Sequence, residues 1–221
     1  MRIALLGPPG AGKGTQAARI CHEFNLVHLS SGDLLRGEKM TGSALGLRIR
    51  DFIDNGLLVP DELMIRLMEK KILSLDHCFI LDGFPRTLPQ AQTLRTMLQK
   101  AHRSLGLVLN FVVDPAVLAR RFEGRRICPV CLAVYHLDSM PPMVSGRCDH
   151  DDAQLIIRED DMPDVVRTRI STYQESMAPL VSFYAQQGDF KTIDATGLPD
   201  DVTASVLDKI NRHFSENPER P

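Results

Sequence analysis

The chain has 221 residues, 43% of them hydrophobic and 24% charged, with a formal net charge of −2 at pH 7. This length suits one α/β domain with a sizeable core and room for an insertion. The balanced charge argues against a polyanion-binding surface overall, and no apolar run approaches the roughly eighteen residues that cross a membrane. "MRIALLGPPG" is too short for a signal peptide, and five cysteines, an odd number, do not suit a secreted disulfide scaffold. We therefore expect a cytoplasmic protein.

Apolar strand patterns alternate with helical patterns along most of the chain. The predicted strands are 2–6, 26–30, 78–82, 107–114 and 190–194. The predicted helices are 13–24, 61–74, 88–99, 115–123, 163–187 and 201–213. Strands that are apolar along their whole length are typical of a parallel sheet covered by helices on both faces. The sequence therefore predicts an α/β fold with a five-stranded parallel sheet.

Two stretches do not fit this alternation. Residues from 31 to about 60 are helical without a strand of their own. Residues from 124 to about 161 are rich in Pro, Gly, Cys, Asp and Arg, and they are longer than the roughly 12–15 residues of an unstructured connection. Both are interpreted as insertions at the ligand-binding edge of the sheet. The predicted division is a core of 1–29, 60–123 and 162–221, with insertions at 30–59 and 124–161.

The strongest motif is "GPPGAGKGT" at residues 7–15, which follows the pattern of a phosphate-binding loop. It is a variant, because Gly14 stands between Lys13 and Thr15. An apolar strand leads into the loop and an amphipathic helix leads out, so backbone N–H groups can turn toward a phosphate at a helix N-terminus. Lys13 would neutralise β- and γ-phosphate charge, and Thr15 would help to hold a phosphate or a metal ion. A glycine-rich turn that binds nothing is the alternative.

A second motif, "FILDGFPRTLPQAQ" at residues 79–92, places polar groups at the end of a buried strand. Asp82 ends that strand and can hold magnesium through water. Gly83 allows close approach of the backbone, Pro85 stiffens the turn, and Arg86 can bind a phosphate with its planar fork. The alternative is an acid that merely caps the next turn.

These residues resemble the adenylate kinases over nearly the whole chain. The motifs "GPPGAGKGTQA", "SSGDLLR", "GLLVPDEL", "LDGFPRTLPQA", "GRRICPVC" and "REDDMPDVVRTRI" occur in that family's order and spacing. The sequence is similar to the bacterial form with a long, zinc-bearing lid. The resemblance implies a P-loop NTPase type of sheet, a helical AMP-binding insertion at 30–59 and a zinc-bearing lid at 124–161. It implies a monomer that transfers the γ-phosphoryl group of MgATP to AMP, reversibly, giving two ADP.

The resemblance also assigns site residues. Phosphoryl transfer requires positioning and neutralisation of negative charge, and arginine supplies a permanent charge on a planar fork. The implied catalytic residues are Lys13, Arg86, Arg121, Arg158 and Arg169. The implied ATP contacts are Gly10, Ala11, Gly12, Lys13, Gly14, Thr15, Arg121, Arg125, Val134, Tyr135 and Gly197. The implied AMP contacts are Ser31, Arg36, Leu57, Leu58, Val59, Gly83, Phe84, Pro85, Arg86, Gln90, Arg158 and Arg169.

Several of these assignments have alternatives. Ser31 stands where many members of the family have threonine, so base selectivity could loosen, and Tyr135 could be a packing aromatic of the insertion. Arg126 could serve the site or merely flank it. Arg103, Arg147 and Arg212 are interpreted as solvated surface residues.

The spacing Cys128-x2-Cys131, sixteen residues, then Cys148-x2-Asp151 is close to that of a zinc ribbon, with Asp in fourth place. The zinc-bearing adenylate kinases share this arrangement, and a metal can replace the core that an insertion poor in apolar residues cannot build. Free thiols or a Cys128–Cys131 redox pair are the alternatives. Three rival fourth ligands are His136, Asp149 and His150. Two further cysteines, Cys21 and Cys78, are predicted to be buried packing residues.

Two other functions are compatible with part of these patterns. A kinase for CMP, UMP or GMP is the nearest, although pyrimidine-specific relatives usually have a short lid. A P-loop switch whose zinc module binds a partner or nucleic acid is the other. The sequence lacks the N-K-x-D guanine motif, and the insertion lacks the basic and aromatic surface of a nucleic-acid module.

Overall fold

The computed structural model describes residues 1–75 and 78–217, so residues 76, 77 and 218–221 of the predicted core lie outside the described residues. The strands are β1 (Arg2–Leu6), β2 (Val27–Ser30), β3 (Phe79–Asp82), β4 (Leu107–Val112), β5 (Arg125–Ile127), β6 (Val134–His136) and β7 (Phe190–Asp194). The helices are α1 (Lys13–Phe24), α2 (Ser31–Met40), α3 (Ala44–Asp54), α4 (Asp61–Leu73), α5 (Leu88–Lys100), α6 (Pro115–Gly124), α7 (Pro163–Ala185) and α8 (Pro199–Glu216). A short 3-10 helix covers Glu159–Asp161.

Five strands form one sheet in the order β2-β3-β1-β4-β7, and all neighbours are parallel. The predicted α/β fold with a five-stranded parallel sheet is therefore confirmed. The strand predicted at 107–114 ends earlier, at Val112, because the Asp114 side chain accepts a hydrogen bond from the Ala116 N–H and caps α6.

Alternate residues of each strand enter opposite cores, as the period of two requires. Ala4 and Leu6 of β1 pack into the core beneath α4, α5 and α7. Ile3 and Leu5 pack into the core beneath α1 and α8. Burial on both faces removes most of the sheet's apolar surface from water, which stabilises the fold by about 25 cal/mol for each Å² buried.

The parallel arrangement brings the carboxyl ends of all five strands to one edge of the sheet. The loop between β1 and α1, the start of α2 and the turn after β3 all lie at this edge. Helix α2 begins directly after β2, where the Ser30 side chain accepts a hydrogen bond from the Asp33 N–H. The helices α2 and α3 make up most of the segment 31–59, and no strand lies within it.

The segment 125–158 is a small unit with its own antiparallel strand pair, β5 and β6. The strand patterns did not predict this pair, because each strand has only three residues and too few positions to show alternation. Its core consists of Cys128, Tyr135, Cys148 and Leu155.

Two cysteines, Cys21 and Cys78, lie outside the segment 125–158. Both are only half-buried, so the prediction that both are buried was too strong; both pack against the core beneath α1 and α8.

Among residues 1–75 and 78–217, no helix has the length and apolar character of a membrane span.

Candidate functional site

The loop between β1 and α1 requires glycine at two positions for lack of space. Gly7 and Gly10 have φ angles of 141° and 83°. A Cβ atom at Gly7 would lie 2.7 Å from the Phe111 carbonyl oxygen, and one at Gly10 would lie 2.7 Å from the Phe122 ring. The loop can therefore take its compact form only with glycine at these two positions. Gly14, the residue that makes the motif a variant, faces Asp82: a Cβ there would lie 3.4 Å from the Asp82 carboxylate.

Lys13 is held by the loop itself. Its Nζ donates to the carbonyl oxygens of Gly7 and Pro8, each at 2.8 Å. Burial lowers the pKa of Lys13 to about 7. The Asp82 carboxylate opposes this shift, whereas nearby arginines, Arg86 first among them, reinforce it. A cation whose proton is this weakly held regains it when a phosphate binds beside it.

Asp82 ends β3 beside Lys13 and beside a residue that sequence reasoning missed. His28 Nε2 lies 3.3 Å from Asp82 Oδ2. Both residues line the cavity described next. The pattern of β2 gave no signal for His28, because a lone histidine in a short strand is more often a packing residue.

A cavity of about 550 Å³ lies at the carboxyl edge of the sheet, between the phosphate-binding loop, the arginines and the segment 132–140. A second cavity of about 60 Å³ lies beside α2, α3 and the turn after β3. Gly32, Arg36, Gly56, Leu58, Arg86 and Arg169 line both cavities. The two cavities therefore meet at three arginines.

Most of the predicted site residues line one of these cavities. The large cavity contains the predicted residues Gly10, Ala11, Gly12, Lys13, Gly14, Thr15, Asp82, Gly83, Pro85, Arg121, Arg125, Val134, Tyr135 and Arg158, and the small one contains Leu57, Val59 and Gln90. Three of the predicted nucleotide contacts line neither. Ser31 is buried and its hydroxyl donates to the Gly83 carbonyl oxygen at 2.7 Å. Phe84 is fully buried in the core. The Gly197 carbonyl oxygen accepts from Arg121 Nη2 at 2.9 Å.

Two acids that follow Arg158 hold the arginines, and sequence reasoning did not single them out. Asp160 and Asp161 are 7% and 6% exposed. Arg125 forms a fork with Asp161, in which Nε donates to Oδ2 at 2.7 Å and Nη2 donates to Oδ1. Arg169 Nη1 lies 3.1 Å from a carboxylate oxygen of each acid. In the sequence these acids look like a solvated charge run, and only the fold shows that they are buried.

Several arginines of this site lie near one another and around the Phe122 ring. The Arg125 and Arg169 guanidinium carbons lie 4.8 and 5.9 Å from the centre of the Phe122 ring. Arg158 Nε is buried and has no hydrogen-bond partner among the described residues. Burial, followed by the charges of Arg36 and Arg125, lowers the pKa of Arg158 to about 10. Such clustering of buried cations indicates a site built for an anion.

Arg121 and Gln90 are bound within the protein. Arg121 Nη2 donates to the carbonyl oxygens of Ala195 and Gly197 at 2.7 and 2.9 Å. Gln90 Nε2 donates to Asp61 at 2.7 Å, and its oxygen accepts from the Arg86 N–H at 2.8 Å. Each half of the Gln90 amide therefore has one bond in the protein and capacity for one more.

Four further arginines named in the sequence analysis line neither cavity. Arg147 and Arg212 are exposed and pair with Asp152 and Asp208. Arg103 is half-buried rather than solvated, and its Nη1 donates to the Leu75 carbonyl oxygen at 2.5 Å. Arg126 donates to the carbonyl oxygens of Glu123 and Arg125 and lines neither cavity.

Cys128, Cys131, Cys148 and Asp151 form a cluster whose ligand atoms all lie within 4.8 Å of one another. The sulfurs of Cys131 and Cys148 are 3.4 Å apart, and Cys128 Sγ is 3.3 Å from Asp151. Zinc–sulfur bonds of about 2.3 Å in a tetrahedron separate the sulfurs by about 3.8 Å, so three thiolates and a carboxylate fit this metal. Backbone N–H groups of Val130 and Cys131 donate to Cys128 Sγ at 3.3 and 3.4 Å.

The three rival ligands lie outside this cluster of four. The Asp149 carboxylate accepts from the Met143 N–H at 2.8 Å. His136 Nδ1 accepts from the N–H groups of Asp138 and Ser139. The grouping of ligand atoms thus agrees with the spacing argument for Asp151.

Comparisons with known proteins agree with this geometry. A family model described as adenylate kinase matches residues 5–189. The adenylate kinase of Chloroherpeton thalassium is 41% identical over 219 residues, which is 98% of this chain and 97% of that protein. Those of Carboxydothermus hydrogenoformans and Finegoldia magna are 41% and 43% identical, and each match covers 96% of this chain and 100% of the relative.

Proposed function

The chain belongs to the adenylate kinase family, and from this premise we propose how its residues transfer the γ-phosphoryl group of ATP to AMP, reversibly, giving two ADP. One observation supports the proposal above all. The large cavity and the small cavity share Arg36, Arg86 and Arg169. A phosphoryl group that passes from a nucleotide in one cavity to a nucleotide in the other would pass these three cations.

The donor would bind in the large cavity with its phosphates on the loop 10–15. Lys13 Nζ now donates to two carbonyl oxygens, which β- and γ-phosphate oxygens would replace. Adenylate kinases use Mg²⁺ with ATP, and the ion neutralises charge on the phosphates. Asp82, beside Lys13 at the end of β3, is the residue that would hold it through water.

The acceptor would bind in the small cavity. Leu57, Leu58 and Val59 supply its wall, and Gln90 retains one N–H and one lone pair for an adenine edge. Ser31 would act indirectly, because its hydroxyl already holds the Gly83 carbonyl oxygen. The lost methyl relative to threonine therefore affects the packing of the turn more than the reading of the base.

The arginines would stabilise the charge that develops during transfer. Asp160 and Asp161 fix Arg125 and Arg169 before any substrate binds, so less entropy is lost when the phosphates arrive. Arg158 has a donor without a partner among the described residues, which a phosphate oxygen would satisfy. We assign the catalytic roles to Lys13, Arg86, Arg121, Arg158 and Arg169 on this basis.

For the metal cluster, we propose one structural zinc ion held by Cys128, Cys131, Cys148 and Asp151. Four protein ligands leave no open position for a substrate. The core of this segment is small, and metal binding would supply folding energy that apolar burial does not. The segment 124–161 would then be a stiffened lid over the large cavity. We also propose that the enzyme is a monomer of the cytoplasm, in keeping with its charge balance and cysteine content.

The test is the formation of ADP from MgATP with AMP, GMP, CMP and UMP in turn. We expect kcat/KM for AMP to exceed that for the other acceptors by at least about 100-fold, the scale set by unpaired polar groups in a site that reads a base. Lys13→Ala, purified in parallel, measures any contaminating kinase. A preference for CMP or UMP would contradict the proposal, and hydrolysis indifferent to any acceptor would indicate a nucleotide switch instead.

A further inference from the structure

Tyr135 joins the metal cluster to the strand that lines the large cavity. It is the only Phe, Trp or Tyr in the sequence of residues 124–161. It lies in β6 between Val134 and His136, and all three residues line the large cavity. Its side chain also belongs to the small core that contains Cys128 and Cys148. The residue is 7% exposed and Cys148 is 4% exposed, so both are shielded from water.

The hydrogen bonds of the Tyr135 hydroxyl fix its direction. The Asp149 N–H donates to the hydroxyl oxygen at 2.8 Å. Cys148 Sγ lies 3.4 Å from the same oxygen. A hydroxyl has one hydrogen to donate, and a metal-bound thiolate has none. With the oxygen already accepting from Asp149, the hydroxyl hydrogen is available for the sulfur.

From this geometry we infer that Tyr135 is a positioning residue for the metal: its hydroxyl donates a hydrogen bond to the Cys148 thiolate and holds that ligand in place. The inference rests on the proposed zinc site. It goes beyond the ligand set, because it assigns a role to a residue that does not bind the metal. Groups that bond to a ligand orient it and tune its affinity, and their loss typically weakens metal binding by 10–100-fold.

The Tyr135 hydroxyl contact also connects the metal cluster to the wall of the large cavity. Tyr135 pairs with Arg126 in the β5–β6 register, so the hydroxyl contact fixes this strand pair against the metal cluster. The residues on either side of Tyr135 line the large cavity. A metal bound in the cluster would thereby support the cavity wall through the Tyr135 side chain, in addition to the backbone hydrogen bond from Cys128 to Ala133, and without touching substrate.

The test compares Tyr135→Phe with the wild type in zinc affinity, measured by competition with a chromogenic chelator. Tyr184→Phe is the matched control, because it deletes the same hydroxyl from a buried tyrosine of α7. We expect Tyr135→Phe to bind zinc about 10–100-fold more weakly, and Tyr184→Phe to bind it like the wild type.

A second readout separates the hydrogen bond from mere packing. In the cobalt-substituted protein, the thiolate-to-cobalt charge-transfer band reports the electron density on sulfur. Loss of a donor to Cys148 should move this band to lower energy in Tyr135→Phe and leave it unmoved in Tyr184→Phe. Incorporation of fluorotyrosine, which keeps the ring and strengthens the donor, should move the band to higher energy, and this measurement needs no variant that might fold poorly.

The outcomes are distinct. Weaker zinc binding together with the band shifts supports the inference. Unchanged zinc affinity, or weaker affinity with an unmoved band, would show that Tyr135 only packs and would overturn it. A wild-type protein that binds no zinc or cobalt would contradict the proposed metal site as well, whereas the kinase assay would be unaffected.

Discussion

At the scale of single residues, Lys13 combines two properties that are seldom found together. It is the cation of the phosphate-binding loop, and burial lowers its pKa to about 7. In the unfolded chain a lysine keeps its proton up to about pH 10.4. Between these values the unfolded state binds more protons, so this residue makes the free protein more stable as the pH rises from about 7.

The lowered pKa of Lys13 predicts proton uptake on nucleotide binding. At pH 8 much of the free enzyme has a neutral Lys13, and bound phosphates restore the proton because they favour the charged form. Calorimetric titration of ADP in buffers with different ionisation enthalpies should show this uptake, and it should decline as the pH is lowered toward 6. Lys13→Arg is the matched control: arginine stays protonated, so its uptake should be near zero. Equal uptake by both proteins would contradict the assignment.

The surroundings of Arg158 predict that its replacement lowers activity without lowering the stability of the fold. Its Nε is buried without a partner among the described residues, and burial and neighbouring arginines lower its pKa to about 10. We expect Arg158→Met to lower kcat by about 100-fold or more, with a free energy of unfolding equal to or above that of the wild type. Turnover and urea denaturation measure the two quantities. Arg212→Met is the control, since Arg212 is exposed beside Asp208. A destabilised but fully active Arg158→Met would refute this view.

At the scale of the element, the segment 125–158 has too little apolar core to fold well by itself. Four buried residues form that core, and two of them are cysteines of the metal cluster. Because a metal bound here would supply folding energy, loss of the metal should unfold this segment as a unit while the sheet stays folded. The sheet has its own cores on both faces.

This predicts the effect of removing one ligand. Metal analysis should find about one zinc ion per wild-type chain. Cys148→Ser should lower the zinc content and the melting temperature, yet retain part of its activity at temperatures where it is folded. Cys21→Ser, which changes a half-buried cysteine of α1 outside the cluster, should keep its zinc. Complete loss of turnover in a folded Cys148→Ser protein would point to a catalytic metal instead.

In the molecule as a whole, one lysine connects the helices α2 and α3 with the short 3-10 helix Glu159–Asp161. Lys39 of α2 donates to Asp54 of α3 at 2.5 Å and to Glu159 at 2.7 Å. Burial lowers the pKa of Lys39, but its hydrogen bonds to the two carboxylates raise it by more. Because the pKa of Lys39 is raised, its ion pairs stabilise the fold through neutral pH. This stabilisation is lost only as the pH rises above the usual pKa of lysine.

We expect Lys39→Met to lower the free energy of unfolding by about 1 kcal/mol or less at low salt, and the difference to shrink as salt screens the charges. Urea denaturation at low and high sodium chloride measures both. Arg66→Met is the matched control, because Arg66 pairs with Glu62 on the exposed face of one helix and should change stability little. If the two variants respond alike to salt, Lys39 does not connect the two parts energetically.

Much of the fold could be predicted because its signals are local. The strands β1, β3 and β4 are short apolar runs, and the phosphate-binding loop is a contiguous motif between β1 and α1. The metal cluster also follows from spacing, since two knuckles of four residues bring their ligands together by local turns. The strands β5 and β6 escaped prediction because three residues are too few to reveal a period of two.

Local sequence is enough to specify the sheet strands, the loop at 7–15 and the spacing of the candidate metal ligands, because backbone dihedrals and neighbouring side chains decide these features. Tertiary packing sets which arginines share a wall between the two cavities, because Arg36, Arg86 and Arg169 come from distant parts of the chain. It also decided that Asp160 and Asp161 are buried partners of these cations. Distances between residues far apart in sequence depend on how helices pack against the sheet, and no local pattern encodes that packing.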